Sequence, residues 1–168
     1  MYCFSELRSD SAHGPGTDMI GYQSSCTNRR VDATMSADVE NIDRFIDDAM
    51  RVLAANGLER HTFTVSLLLR EGLNNAVIHG CRKDETKSVH AHLLLEDRGL
   101  SINVDDEGEG FPWRDALMRD TDDSATSGRG IEIFKKYATA FNYYDRGNRL
   151  SLQVAFAEGD VKGDRHGY

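Results

Sequence analysis

The residues whose types and spacing suit chemistry fall into three separated groups. Glu71, Asn75 and His79 recur at intervals of four. On a helix turning roughly 100° per residue each such step advances only about 40°, so a carboxylate, an amide and an imidazole share one face. Val65, Leu69, Leu73 and Ala76 lie on the opposite side, where they can pack. The second group, Asp106-Glu107-Gly108-Glu109-Gly110-Phe111, leaves a run in which Leu100, Ile102 and Val104 alternate with Ser101, Asn103 and Asp105. Strand parity assigns Asp106 to the buried side, an odd place for a carboxylate, and Asp105 to the other face. The third is Gly128-Arg129-Gly130-Ile131, which opens a helical pattern.

Taken singly each group has an ordinary explanation: a solvated helix face, a turn, a permissive helix start. Together they supply what a nucleotide requires. Magnesium is a hard cation that takes oxygen ligands, the triphosphate's own included, and the Asn75 amide oxygen can hold it without adding another full negative charge. A buried Asp106 can accept a hydrogen bond from an exocyclic amine such as adenine's. Gly108 and Gly110 would let the backbone approach a base or a phosphate. Free N–H groups where Gly128, Arg129 and Gly130 start a helix would receive phosphates, with Arg129 adding charge.

These groups need elements to position them. A short strand is expected from Arg30 to Met35, followed by a helix opened by Ser36-Ala37-Asp38-Val39, carrying Ile42, Phe45, Ile46, Ala49, Met50 and Leu53 at helical spacing, and ended by Asn56-Gly57. A second helix spans about Thr62 to Gly80, and two strands, Val89 to Glu96 and Leu100 to Asp106, meet at Asp97-Arg98-Gly99. Residues 107–127 read as loop, with Phe111, Pro112 and Trp113 as anchors and Asp120, Asp122 and Asp123 in an acidic stretch. The third helix carries Ile131, Ile133, Phe134 and Tyr137, and a last hairpin joins 140–145 to 149–157, with Leu150, Leu152, Val154 and Phe156 on one face. The expected architecture is an α+β two-layer sandwich, a mixed and mainly antiparallel sheet with three helices on one face. Residues 1–28, rich in Ser, Gly, Asp and Asn, read as a flexible extension, 29–158 as the domain, and 159–168 as a polar tail.

Composition narrows the partners. With 168 residues, 39% of them hydrophobic, the chain suits one domain with a real core. A net charge of −8 leaves no basic excess to neutralise nucleic-acid phosphates, so a protein or small-molecule partner is expected instead. Cys3, Cys26 and Cys81 are scattered, without the spacing of a disulfide framework or a zinc site, which suits reduced thiols in a cytoplasm. No apolar run approaches the roughly 20 residues a membrane helix needs, and the first residues lack the layout of a signal peptide. His61, His90 and His92 show no partner pattern, and His79, at a helix end, suits capping or packing better than catalysis.

From roughly residue 30 to 157 the chain resembles the GHKL superfamily of Bergerat-type ATP-binding domains. Residues 71–80 resemble its N box, 106–111 its G1 box and 128–131 its G2 box. Within the superfamily the likeness is strongest to bacterial anti-sigma factor serine/threonine kinases, in which a short lid, here residues 112–127, joins the last two boxes. The resemblance implies ATP and magnesium as cofactors, with Glu71 as general base, Asn75 as metal ligand, and Asp106 as the residue that reads adenine. Gly108, Gly110, Gly128, Arg129 and Gly130 would complete the nucleotide site. It also implies a homodimer whose substrate is an anti-anti-sigma (antagonist) protein and whose other partner is a sigma factor. An exposed strand near residues 30–35 would be the place for a two-fold pairing. The alternatives are an ATP-binding module that only sequesters its partner, a histidine-kinase catalytic piece, and an ATPase in which Glu71 activates water.

Overall fold

The computed structural model describes residues 21–118 and 129–157. Six strands form one sheet: β1 (Tyr22–Cys26), β2 (Arg30–Ser36), β3 (Ser88–Glu96), β4 (Gly99–Asp106), β5 (Ala140–Tyr144) and β6 (Arg149–Ala155), in the order β1-β2-β3-β4-β6-β5. The expected mainly antiparallel sheet is antiparallel at every one of these pairings. Along β2, β3, β4 and β6 the strand period puts Val31, Ala33, Met35, Val89, Ala91, Leu93, Leu95, Leu100, Ile102, Val104, Leu150, Leu152 and Val154 on one buried face. The other face is polar and open to solvent or nearly so, with Thr34 bonded to His90 at 3.0 Å and Asp32 to His92 at 2.7 Å. Two of the unassigned histidines thus pair across strands, while the His61 ring stacks on Phe156 at 4.2 Å.

The helical layer covers the apolar face. In α1 (Val39–Ala55) Asp38 caps the first turn by accepting from the Glu40 N–H at 3.0 Å, and the Leu58 N–H returns to the Leu53 carbonyl at 3.0 Å to close the last. Its buried stripe holds Ile42, Phe45, Ile46, Ala49 and Leu53 as the helical period predicts, with Val52 buried in addition and Met50 only half-buried. The second helix has a finer structure than expected. An α-helix, α2 (Thr62–Asn74), passes into a π turn over Asn75–Gly80, where the Cys81 N–H reaches back five residues to the Ala76 carbonyl at 2.7 Å. A short helix α3 (Trp113–Met118) lies in the stretch read as loop, and α4 (Arg129–Tyr137) packs on α2 and β5.

Two expectations about the N-terminal region change. Residues Tyr22–Cys26, expected to belong to a flexible extension, are a sheet strand, so an extension can include at most the residues before them. Only Tyr22 and Cys26 of the five are apolar, so periodicity offers no sign of it; the strand is held by a distant group. Asp48, buried on α1, accepts from the Tyr22 hydroxyl at 2.7 Å and the Ser24 hydroxyl at 2.9 Å and pairs with Arg51. In consequence β2 has a neighbour on both sides, β1 and β3, and the strand near 30–35 is not a free edge. The acidic stretch at Asp120, Asp122 and Asp123 and the tail at 159–168 lie outside the described residues.

Candidate active site

The end of β4 and the π turn are built against each other. Asp106 stands opposite Val89 in the sheet, half-buried, as the parity reading requires, and its Oδ1 accepts from the Gly108 N–H at 2.8 Å. Gly108 packs on the Gly80 carbonyl so closely that a methyl group on it would overlap that oxygen. The chain then turns at Gly110, which has φ +76° and rests against the Arg146 carbonyl, a conformation and a contact that exclude a side chain. Phe111 donates its N–H to the same carbonyl at 2.9 Å, tying the G1 stretch to the β5–β6 turn. On the other side of that turn the Asn148 amide donates to the Asp106 carbonyl at 2.9 Å. Asp105 points to the opposite face, as strand parity assigns it, and pairs with Arg149.

Burial pushes the Asp106 carboxyl up to about 6, with the Gly108 N–H and the positive charges of Arg146 and Lys87 pulling the other way. A carboxylate held this way keeps one oxygen on the Gly108 backbone, and among the described residues Oδ2 accepts no hydrogen bond. That oxygen is suited to accept from a ligand amine.

The helix face carries the second half. Glu71 and Asn75 are half-buried on the side of α2 that α4 approaches. A Cβ on Gly130 would lie 3.0 Å from Asn75 Nδ2, 3.6 Å from its Oδ1 and 3.6 Å from Glu71 Oε2. The second residue of α4 therefore sits directly over both side chains. Arg129 is the first residue of that helix and Gly128 lies outside the described residues. His79 stands exposed on the π turn, apart from this arrangement. Of the expected lid, residues 112–118 are described and carry α3; Trp113 lies over Tyr143 with ring centroids 6.5 Å apart, and an open cavity of about 590 Å³ runs between residues 109–115 and Asp145–Arg146, beside the G1 turn.

The structure also brings in a residue the motifs do not contain. Tyr143, buried on β5, has its hydroxyl 3.1 Å from the Asn75 amide nitrogen, which donates to it. Burial pushes this phenol up to about 12, the Asn75 bond opposing and the charges of Asp106 and Glu71 adding. The signal for it was the alternation of Phe141 and Tyr143 with Asn142 and Tyr144, which places a polar-tipped ring on the inner face of a strand.

Among the described residues no three His, Cys, Asp or Glu side chains are gathered to hold a metal unaided. The donor set instead suits a cation that arrives with a nucleotide and takes most of its ligands from phosphates and water, for which the Asn75 oxygen, without a hydrogen bond among the described residues, is a fitting protein ligand.

A helical layer on an antiparallel sheet, with a carboxylate at a strand end, a Gly-rich turn beside it and a Glu/Asn helix face under a second helix start, defines a GHKL-type ATP-binding domain. The family model for the histidine kinase-like ATPase domain matches residues 35–154, and the chain belongs to that family. The serine/threonine-protein kinase BtrW of Bordetella bronchiseptica is 29% identical over 99 residues, 55% of this chain and 70% of the relative. The anti-sigma F factor of Geobacillus stearothermophilus is 26% identical over 101 residues, 56% of this chain and 69% of its own. A second anti-sigma F factor, from Geobacillus kaustophilus, is 29% identical over 77 residues, covering 44% of this chain and 53% of the relative. No described helix is long and apolar enough to cross a membrane.

Proposed function

We propose that this protein is a cytoplasmic, ATP- and magnesium-dependent serine/threonine kinase of a partner-switching system. It phosphorylates an antagonist protein of the anti-anti-sigma kind and binds a sigma factor. The observation that carries the reading is Gly130 facing Asn75 and Glu71 together, because it sets the phosphate-receiving start of α4 beside both a metal-ligand amide and a carboxylate. The relatives named as a serine/threonine-protein kinase and as anti-sigma F factors support the same class.

In this reading Asp106 Oδ2 accepts from the adenine amine, the G1 turn at Gly108 and Gly110 lies along the base, and the first N–H groups of α4, with Arg129, hold the phosphates. Bound with the nucleotide, magnesium supplies charge neutralisation at the phosphates, and Asn75 holds it. Glu71 takes the proton from the substrate hydroxyl as its oxygen bonds the γ-phosphorus and the bond to the β–γ bridging oxygen breaks, leaving phosphoprotein and ADP. The reading includes a homodimer, for which the outer strands of the described sheet are β1 and β5.

Calorimetric titration with ATP and magnesium on wild type, Asn75→Ala and Asp106→Asn tests the site. Wild type is expected to bind and both variants to lose most of the affinity. Phosphotransfer from γ-labelled ATP to a candidate antagonist protein then separates kinase from sequestering module: Glu71→Ala should bind ATP and transfer nothing. Binding without transfer by wild type would leave sequestration as the function, and no binding would end the reading.

A further inference from the structure

We propose that Tyr143 is a positioning residue for the magnesium ligand: its hydroxyl occupies the donor end of the Asn75 amide and so turns the oxygen end toward the metal. The proposal rests on the reading of Asn75 as that ligand. A primary amide has two ends of similar size and opposite chemistry, and only the oxygen ligates a hard cation. Rotation by half a turn would present N–H groups to the metal and lose it. Among the described residues the one hydrogen bond to the amide is at its nitrogen end, which leaves the oxygen end turned away from Tyr143. The Tyr143 hydroxyl lies 3.1 Å from Asn75 Nδ2 and accepts from it, and the amide oxygen has no partner among the described residues.

The hydroxyl is itself firmly held. Tyr143 is 3% exposed, and its ring meets Phe111 edge-on at 4.9 Å, Trp113 at 6.5 Å and Phe134 at 6.5 Å. These neighbours come from the G1 turn, α3 and α4, so the ring is fixed by three separate parts of the chain that lie around the site. A hydroxyl can accept from the amide while adding no charge beside Glu71 and Asp106. Ligand-orienting partners of this kind are worth about 10- to 100-fold in metal affinity.

The test is ATP affinity measured by calorimetry in excess magnesium and again in EDTA, for wild type, Tyr143→Phe, Asn75→Ala and the pair Asn75→Asp with and without Tyr143→Phe. Phenylalanine keeps the ring contacts and removes only the hydroxyl. The expected result for Tyr143→Phe is affinity in magnesium lower by about tenfold or more, with affinity in EDTA unchanged. In the Asn75→Asp background the side chain presents two like oxygens, so removing the hydroxyl should leave the magnesium-dependent affinity as it was. A loss shared equally by the two conditions, a loss repeated in the Asn75→Asp background, or no loss at all would overturn the proposal. Asn75→Ala tells this failure from a deeper one. If that variant binds ATP in magnesium as tightly as wild type, the metal-ligand reading falls and the role of Tyr143 with it; if it loses the metal dependence while Tyr143→Phe keeps it, only the positioning role falls. The single tryptophan, Trp113, provides a check that the fold around the ring is intact, since its emission without ligand should match wild type in every variant.

Discussion

Asp106 carries a cost that the proposed contact with adenine would explain. Its carboxyl titrates at about 6 in the folded protein against an ordinary 3.8, because burial disfavours the charge more than Gly108, Arg146 and Lys87 favour it. The folded state thus binds a proton more tightly than the unfolded chain does. Stability from this group is fully present below about pH 3.8 and is lost as the pH rises through 6, so at neutral pH the ionised carboxylate weakens the fold. Asp106→Asn removes the charge and keeps an oxygen for the Gly108 N–H. At pH 7.5 it should raise the unfolding free energy by on the order of 1 kcal/mol, allowing for the solvent that still reaches the carboxyl, and the gain should fade toward pH 4. The same substitution should weaken ATP binding about tenfold or more, since a charged acceptor is lost. Urea melts at the two pH values and calorimetry at the higher one check both halves; a variant less stable at pH 7.5 would contradict the first. Strand parity alone placed this carboxylate inside, because a period of two needs only local sequence. Tyr143 escaped the motif reading because the role proposed for it depends on Asn75, which is 68 positions away and meets it only when β5 is brought against the π turn.

Elements were legible in the sequence to the degree that their stability is local. α1 announces itself through its cap, its stripe and its Gly stop, and the β3–β4 and β5–β6 hairpins through alternation and turn residues. The π turn and β1 were hidden because each is held from outside. The widened turn ends where Gly80 meets Asp106 and Gly108, and β1 depends on Asp48. Asp48→Ala would leave the Tyr22 and Ser24 hydroxyls without their acceptor and should cost on the order of 2 kcal/mol. Because β1 is an outer strand packed on β2 and α1, hydrogen exchange should show protection lost over Tyr22–Cys26 first, with ATP affinity unchanged. Gly108→Ala tests the other tertiary contact. The added methyl group meets the Gly80 backbone, which cannot step aside, as well as the Asp106 carboxylate, so overpacking should cost about 1–3 kcal/mol and displace the G1 turn, abolishing ATP binding in the same protein.

Across the whole molecule, the site draws on α2, the π turn, β4, α4 and the β5–β6 turn, a span of the chain from Glu71 to Asn148. No one of these elements can hold a nucleotide alone, and each also contributes to the core beneath: Leu73 and Ala76 from the helix, Val104 from β4, Phe134 from α4, Tyr143 and Leu150 from the last hairpin. A ligand bound across them should therefore stabilise the domain as a whole against unfolding. Mass action sets the size of the effect: at 100 times the dissociation constant, a ligand that binds only the folded state adds about 2.7 kcal/mol. For a chain of this length each kcal/mol moves the midpoint by about 2–4 °C, so ATP with magnesium should raise it by about 5–10 °C. Asn75→Ala should show a much smaller rise at the same nucleotide concentration, and Asp106→Asn should start from a higher midpoint and gain little. Differential scanning calorimetry across a series of ATP concentrations measures all three. A midpoint that stays still while titration calorimetry detects binding would mean that the nucleotide rests on a segment that opens separately from the sheet, and the site as assembled from these five elements would be wrong.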